Sequence, residues 1–176
     1  QLPFDEEYII YVGRLVKEKR VDFLLNAYAK SAIHEKLLIL GNGPEANYLK
    51  SLTKELNIQD CVIFLGSVSN PYKYIKNAKF LVLCSHHEGF GNVLVEALIL
   101  QTPVISTDTP SGPREILEHY TLNALVEGNF DNNGLADKIK VWSKLAPPVD
   151  QECMNIFSNT HVAQQYTKLN EQLSIS

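Results

Sequence analysis

Two carboxylates lie close to a glycine-rich tripeptide in the stretch from Ser85 to Leu100 (S-H-H-E-G-F-G-N-V-L-V-E-A-L-I-L). Glu88 directly precedes Gly-Phe-Gly, and Glu96 follows inside an apolar run. Because glycine lacks a Cβ atom, such a tripeptide lets the backbone turn sharply and approach a ligand closely. A helix that begins there would present unpaired amide groups, which favour phosphate or another anion. The stretch therefore predicts an anion site bracketed by two carboxylates.

The spacing of Glu88 and Glu96 defines the geometry of this predicted site. A helix that begins near Gly91 or Asn92 places Glu96 roughly 7 Å from its start, at about 1.5 Å per residue. That separation suits two hydroxyl-rich groups on either side of a diphosphate. A capped core helix with a solvated Glu96 is the alternative that the spacing leaves open. A carboxylate among the apolar residues of 93–100 needs a partner, which favours the functional interpretation.

A second candidate loop is rich in cations and follows the first apolar run. Its cationic residues are Arg14, Lys17, Lys19 and Arg20. Cations that follow a parallel strand are well placed to neutralise a diphosphate. A solvated basic loop is the alternative on composition alone.

These loops need a scaffold, and the remaining apolar pattern predicts one. The predicted strands are 8–12, 37–40, 61–66, 80–84, 103–106 and 123–126. The predicted helices are 21–32, 45–56, 72–77, 92–100, a short one after the loop 107–115, 135–145 and about 160–173. This alternation predicts an α/β fold, a Rossmann-like doubly wound parallel sheet of about six strands with right-handed crossovers. The loops at Gly13, Gly66, Glu88 and Asp108 would then meet at the carboxyl edge of the sheet.

Three further motifs could carry other chemistry, and the sequence favours none of them. The run 41–46 (G-N-G-P-E-A) has the spacing of a dinucleotide fingerprint, but it follows the second strand, and Pro44 suits a first helical turn. His86 and His87 precede a glutamate, yet neighbours on an extended segment point to opposite faces, which disfavours a metal site. Ser85 has no visible base partner, which disfavours a hydrolase nucleophile.

The composition indicates one globular domain of ordinary polarity. The chain has 176 residues, 45% of them hydrophobic and 20% charged, and its net charge of −4 disfavours nucleic-acid binding through bulk charge. Cys61, Cys84 and Cys153 are widely spaced, which predicts a reduced, cytoplasmic setting. Neither a signal peptide nor a spanning segment is visible, and the start at Gln1 suggests an excised fragment.

Several motifs together resemble a known family. The run from Glu88 to Glu96 resembles the Glu-x7-Glu signature of retaining GT-B glycosyltransferases, specifically family 4 (glycosyl transferases group 1). The run 13–22 (G-R-L-V-K-E-K-R-V-D) is similar to the phosphate-binding segment of that family, and 41–44 is similar to its Gly-x-Gly-Pro. The run 111–115 (S-G-P-R-E) resembles the second glycine loop, Gly-Gly-x-x-Glu. Serine replaces its first glycine, so the backbone near the sugar is expected to differ.

The resemblance implies a role for each site residue. Arg14 and Lys19 would neutralise the donor diphosphate and, with Glu88, form the expected catalytic set. Glu96 would accept hydrogen bonds from the ribose, and Glu88 from the transferred sugar. A nucleophilic Glu88 is the chemical alternative, but a carboxylate at a helix amino end suits the acceptor role better. The expected donor-binding residues are Gly13, Arg14, Lys19, Gly66, Glu88, Gly89, Phe90, Gly91, Asn92, Val93 and Glu96.

The resemblance also implies a function for the whole chain. Residues 1–176 would be the C-terminal, donor-binding half of a GT-B hexosyltransferase, with the helix at about 160–173 crossing to an N-terminal acceptor domain. The full enzyme would transfer a sugar from a nucleoside diphosphate, with UDP-sugars favoured, to an acceptor hydroxyl with retention. Bacterial polysaccharide or lipopolysaccharide synthesis, at the inner face of the membrane, is the expected setting, and this half alone would be inactive.

The chain contains no Asp-x-Asp, so neither a metal nor another cofactor is expected. The alternatives are a nucleotide-sugar-binding module without catalysis and a GT-B sugar epimerase. The expected partners are a nucleotide-sugar donor and the N-terminal domain, not nucleic acid.

Overall fold

The computed structural model describes residues 6–109, 112–126 and 132–149. Its strands are β1 (Tyr8–Val12), β2 (Lys36–Leu40), β3 (Val62–Gly66), β4 (Leu81–Leu83), β5 (Val104–Thr107) and β6 (Leu125–Val126). Its helices are α1 (Val21–Ser31), α2 (Ala46–Glu55), α3 (Tyr72–Lys76), α4 (Asn92–Ile99), α5 (Pro113–Leu117) and α6 (Asn132–Lys144). Single 3-10 turns cover Lys17–Lys19 and Leu122–Ala124.

The six strands form one parallel sheet in the order β3-β2-β1-β4-β5-β6. This confirms the predicted Rossmann-like doubly wound sheet. Right-handed crossovers place α1 and α2 on one face and α3, α4 and α5 on the other. Because the chain builds outward in both directions from the centre, the topology switches between β1 and β4, which pair directly. Ligand sites of such sheets lie at the carboxyl ends of the strands beside this switch.

The core forms because the central strands are apolar on both sides. Ile9, Ile10 and Leu38 are completely buried. Helix α6 packs against α1, and its Trp142 meets the ring of Phe80 edge to face, with ring centroids 6.0 Å apart. Burying an apolar side chain of this kind contributes about 1.5–3 kcal/mol, so the sheet is a rigid base for its edge loops.

Most predicted elements are present, and the differences are local. The sixth strand is shorter than predicted because residues 122–124 form a 3-10 turn, where the Thr121 hydroxyl accepts a bond from the Asn123 amide. The cationic loop contains the 3-10 turn 17–19, which the sequence did not indicate. Helix α6 begins at Asn132, three residues earlier than predicted. The predicted helix at about 160–173 lies outside the described residues. Among the helices that the structure describes, none is both long and apolar enough to cross a membrane.

Candidate functional site

A cavity of about 270 Å³ opens at the carboxyl ends of β1 and β4. It therefore lies at the topological switch point. Seven of the predicted donor-binding residues line it: Gly13, Lys19, Glu88, Phe90, Gly91, Asn92 and Val93. Residues from the two loops that the sequence singled out, 69 positions apart at Lys19 and Glu88, are thus brought together by the pairing of two neighbouring strands.

An ion pair between Lys19 and Glu88 forms one side of the cavity. The Lys19 Nζ donates to Oε1 of Glu88, and the two side chains retain 25% and 10% of their exposure. The backbone amide of His86 donates to the Glu18 carbonyl at 2.9 Å, which ties the two loops together beside the pair. An ammonium carries three N–H donors, so Lys19 can serve this carboxylate and a further anion at once.

The Ser85 side chain holds the Glu88 carboxylate in place through a hydrogen bond. The sequence did not indicate this role. Its hydroxyl is fully buried and donates to Oε1 of Glu88 at 2.5 Å. The Ser85 carbonyl in turn accepts a bond of 3.0 Å from the Thr107 hydroxyl on β5. The position of Ser85, three residues before Glu88 at a strand end, was the only available signal. The carboxylate is therefore held by one hydroxyl and one ammonium before any ligand binds.

The loop after β1 is joined to the loop after β2 through main-chain hydrogen bonds. The Gly13 amide donates to the Leu40 carbonyl, and the Leu15 amide to the Asn42 carbonyl, each at 3.0 Å. A Cβ on Gly41 would lie 1.8 Å from the Gly13 carbonyl oxygen, and φ is +132° there, so only glycine fits. The motif 41–46 is thus a brace for the cationic loop rather than a dinucleotide fingerprint.

The glycine loop before α4 is supported in the same way from its other side. Gly112 has φ +81°, and a Cβ there would lie 2.5 Å from the Phe90 carbonyl oxygen. Helix α4 begins after Gly91, which adopts the left-handed conformation. Gly89 differs from the sequence-based interpretation: it does not have positive φ, and a Cβ would meet nothing within 4 Å. Ser111, the predicted departure from the family pattern, lies outside the described residues.

Besides Gly89, three predicted residues do not line the cavity. Arg14 is exposed on the same loop, with its carbonyl held by the Tyr11 hydroxyl at 3.1 Å. Gly66 lies at the end of β3, two strands away from β1 on the same edge. Glu96 is half-buried on α4, one turn beyond Asn92, and its burial raises the pKa of its carboxyl above the usual value.

The neighbouring histidines do not form a metal centre with Glu88. Nε2 of His86 lies 2.7 Å from Nη1 of Arg20, whose Nε donates to Asp22 at 3.1 Å. Over the described residues, no group of three or more His, Cys, Asp or Glu side chains is arranged to hold a metal ion. Cys84 is buried below the site, and that burial raises the pKa of its thiol, so the thiol is unsuited to act as a nucleophile.

The arrangement can bind a ligand that combines negative charge with hydroxyl groups. Lys19, Arg14 and the start of α4 supply positive potential for an anion. Glu88 supplies acceptor oxygens in the cavity, and Glu96 supplies others one helical turn away. The predicted roles of these groups, a phosphate site between two hydroxyl-binding carboxylates, stay a prediction.

The chain belongs to the glycosyl transferases group 1 family, which matches residues 1–156. Its six-stranded Rossmann-like sheet also matches the domains of GT-B glycosyltransferases. These findings confirm the group 1 family and the GT-B fold expected from the motifs, whereas family 4 and retention stay predictions.

Individual relatives share this domain. The chain is 41% identical over 128 residues to the N-acetylgalactosamine-N,N'-diacetylbacillosaminyl-diphospho-undecaprenol 4-alpha-N-acetylgalactosaminyltransferase of Campylobacter jejuni, covering 73% of this chain and 35% of that protein. It is 37% identical over 115 residues to the lipopolysaccharide 1,6-galactosyltransferase of Salmonella typhimurium, covering 62% and 32%. A structure of S. aureus TarM with UDP, fondaparinux and alpha-GlcNAc-glycerol matches with a TM-score of 0.74 and 26% identity, over 87% and 31%. The chain spans about a third of the length of these relatives.

Proposed function

We propose that this chain is the donor-binding domain of a retaining glycosyltransferase that uses a nucleoside-diphosphate sugar, with UDP as the nucleotide. The observation that supports this is the cavity at the switch point, where the Lys19 ammonium, the Glu88 carboxylate and the start of α4 meet. Family membership supports a transferase, and the UDP bound by TarM supports the choice of nucleotide.

The diphosphate would lie between Lys19 and the start of α4. Cleavage of the sugar–phosphate bond leaves negative charge on the β-phosphate, and fixed cations and amides that face this charge lower the barrier. Arg14, which is exposed on the same loop as Lys19, would add a second positive charge toward the same phosphate. Because these groups already supply positive charge, we propose that donor binding needs no divalent metal.

Glu88 and Glu96 would recognise the two hydroxyl-bearing ends of the donor. Glu88, held by Ser85 and Lys19, would accept hydrogen bonds from the transferred sugar. Glu96 would accept bonds from the ribose, and its half-buried carboxylate makes no side-chain hydrogen bond among the described residues. The nucleotide base would lie farther along the edge, near Gly66.

A second domain would supply the acceptor site. The relatives are about three times as long as the matched region, and their names describe acceptors attached to diphospho-undecaprenol or to lipopolysaccharide. We therefore propose an acceptor hydroxyl in bacterial surface-glycan synthesis at the cytoplasmic face of the membrane. This chain alone would bind donor but transfer little.

Calorimetric titration tests this function directly. The chain is titrated with UDP, GDP, UDP-glucose and UDP-N-acetylglucosamine, first with excess chelator and then with magnesium. We expect the UDP series to bind with chelator present, and Lys19→Ala to weaken binding by about tenfold or more, the effect of losing a charge-assisted hydrogen bond. Lys54→Ala, at the exposed far end of α2, is the matched control and should bind normally.

Two outcomes would contradict the proposal. Equal affinity for UDP and UDP-sugars, unchanged by Glu88→Ala, would indicate a nucleotide-binding module without a sugar site. Release of an epimeric free sugar from a UDP-sugar, without any acceptor, would indicate the epimerase. Binding that appears only with magnesium would contradict the metal-independent part alone.

A further inference from the structure

Arg20 connects the two loops that form the donor cavity. It directly follows Lys19, and its guanidinium contacts the ring of His86, which lies two residues before Glu88. We propose that Arg20 is a positioning residue for donor binding, which holds the loop after β4 against the loop after β1 through His86 and so keeps Glu88 opposite Lys19. This inference rests on the proposed function.

The backbone of Arg20 adopts a conformation that is unfavourable for every residue except glycine. Its φ and ψ are 47° and 42°, in the left-handed region. Three other non-glycine residues in the described ranges have positive φ, and each follows the last turn of a helix, where this conformation is common: Ala32, Asn57 and Gln101. Arg20 instead precedes α1 and ends the 3-10 turn, with its amide 3.1 Å from the Lys17 carbonyl. Glycine would fill this position without strain, so we attribute the arginine to its side chain.

The side chain of Arg20 is fixed by partners on both loops. Its Nε lies 3.1 and 3.4 Å from the two carboxylate oxygens of Asp22, and its Nη1 lies 2.7 Å from Nε2 of His86. Because a guanidinium can only donate, His86 must accept this bond through an unprotonated Nε2. The guanidinium also lies 5.8 Å from the centroid of the Phe23 ring on α1. A planar group with these partners has little freedom, so the Arg20–His86 link is rigid.

The Arg20–His86 link lies outside the donor cavity, beside the ion pair that lines it. Neither Arg20 nor His86 lines that cavity, whereas Lys19 and Glu88 both do. The main chain is joined near the same point, since the His86 amide donates to the Glu18 carbonyl at 2.9 Å. A bound donor would share the Lys19 ammonium with Glu88, but the outer contacts would keep their partners. The link therefore maintains the spacing of the two loops while the inner pair serves the ligand.

Two substitutions at position 20 separate the side chain from the backbone. Arg20→Ala removes the link and keeps the strained conformation, whereas Arg20→Gly removes both. We expect both variants to bind UDP-sugars about threefold to tenfold more weakly, because the loop after β4 must then be ordered by the ligand. Arg20→Gly should nevertheless melt about 2–4 °C above Arg20→Ala, because its strain is relieved. Calorimetry and thermal unfolding of the full 176-residue chain measure the two quantities.

Ala32→Gly is the matched control for the backbone. Ala32 has nearly the same φ, 49°, at the other end of α1. Its replacement by glycine should raise the melting temperature and leave the affinity for UDP-sugars unchanged. A purely structural role for Arg20 predicts a lower melting temperature in Arg20→Ala together with unchanged affinity in both Arg20 variants, and that result would overturn the proposal.

Variants of His86 test whether Arg20 acts through the loop after β4. His86→Gln retains an acceptor for the guanidinium and should bind UDP-sugars nearly as well as the wild type, whereas His86→Ala should lose as much affinity as Arg20→Ala. Since the two residues form one link, the double variant Arg20→Ala/His86→Ala should lose no more affinity than either single variant. Additive losses would show that the residues act independently, against the proposal.

Hydrogen exchange tests the link without a ligand. The His86 amide should exchange several-fold faster in Arg20→Ala than in the wild type or in Ala32→Gly, and an unchanged rate would overturn the proposal. If the wild type binds UDP-sugars and the Arg20 variants bind them equally well, this inference is wrong and the donor site stands. If the wild type binds no nucleotide, the proposed function is wrong, and Arg20 has no donor to position even where exchange confirms the link.

Discussion

Two lysine–glutamate pairs lie at opposite edges of the sheet and differ in how completely they are satisfied. At the amino edge, Lys79 donates to Glu35 at 2.5 Å and to Glu7 at 2.9 Å. These bonds, that to Glu35 first, raise the pKa of Lys79. At the carboxyl edge, the Lys19 ammonium pairs with Glu88 alone within the part of the chain that the structure describes, and the pair lines an open cavity. The first pair is completed within the chain, and the second retains donor capacity for a ligand.

The comparison shows that the type of pair does not indicate function, whereas its surroundings do. Around Glu35 the chain supplies a buried structural contact, since the Tyr28 hydroxyl donates to its carbonyl at 2.7 Å. Around Glu88 it supplies a glycine loop and the start of α4, which line the open cavity. We expect substitutions at the amino edge to change stability, and substitutions at the carboxyl edge to change ligand binding.

The largest expected effect follows from removing the ammonium of Lys19. Lys19→Met should weaken UDP binding by about 30-fold to 100-fold, because a charge-assisted bond to phosphate contributes about 2–3 kcal/mol. Calorimetry measures the affinity. Lys79→Met is the matched variant at the other edge and should leave the affinity unchanged. A comparable loss of affinity in both variants would contradict the distinction between the two pairs.

The next effect separates the sugar from the nucleotide. Glu88→Gln should remove most of the difference in affinity between a UDP-sugar and UDP, a loss of about tenfold for the UDP-sugar, since a neutral amide is a weaker acceptor. Glu35→Gln is the control at the amino edge. Competition binding with UDP and UDP-sugar in the same titration gives the ratio directly, and an unchanged ratio in Glu88→Gln would show that the sugar does not contact this residue.

The free energy of unfolding should change more in Lys79→Met than in Lys19→Met, the reverse of the order expected for UDP affinity. Lys79→Met leaves the buried carboxylate of Glu35 without its main partner, and it should lower the free energy of unfolding by about 1–3 kcal/mol. Denaturant unfolding measures this change. Lys19→Met should cost less, because the Ser85 hydroxyl still donates to Glu88. Greater destabilisation by Lys19→Met than by Lys79→Met would contradict the assignment of the structural role to the amino edge.

A smaller effect is expected when Glu88 loses its buried support. Ser85→Ala should reduce affinity for UDP-sugars by about threefold to tenfold and leave UDP affinity nearly unchanged, because it removes one neutral hydrogen bond that orients the carboxylate. Ser106→Ala removes an equally buried hydroxyl that donates to the Thr107 carbonyl instead, so it controls for loss of core packing. Equal effects of the two substitutions on UDP-sugar affinity would indicate that Ser85 contributes only to packing.

The smallest effect concerns the pH dependence of stability. Burial raises the pKa of Glu96, so the folded protein holds this proton more tightly than the unfolded chain. Stability contributed by this group therefore falls as the pH rises above the unfolded value of 4.5. Glu96→Gln should raise the melting temperature at pH 7, and this gain should disappear below pH 4.5. The same variant should bind UDP more weakly.

The scaffold was largely predictable from the sequence because apolar runs and glycines report directly on strands and loops. The parallel sheet, its element order and the placement of the loops that carry Lys19 and Glu88 at one edge follow from alternation and from strand-end position. The Ser85–Glu88 bond was not predictable, because a side-chain rotamer has no periodic signal. The 3-10 turn at 17–19 was missed because three residues are too few to show an apolar period. Arg20, which follows the turn, has the left-handed conformation (φ 47°) that a non-glycine residue rarely adopts.

The glycine at position 41 has a consequence for engineering. Its main chain lies so close to Gly13 that the loop after β2 and the loop after β1 have a common van der Waals surface. If only one of these two loops is replaced by the loop of a relative, its backbone is expected to clash with the other loop of this chain. Successful chimaeras of this domain should therefore exchange residues 13–20 and 41–45 as one cassette, and directed-evolution libraries should randomise both together.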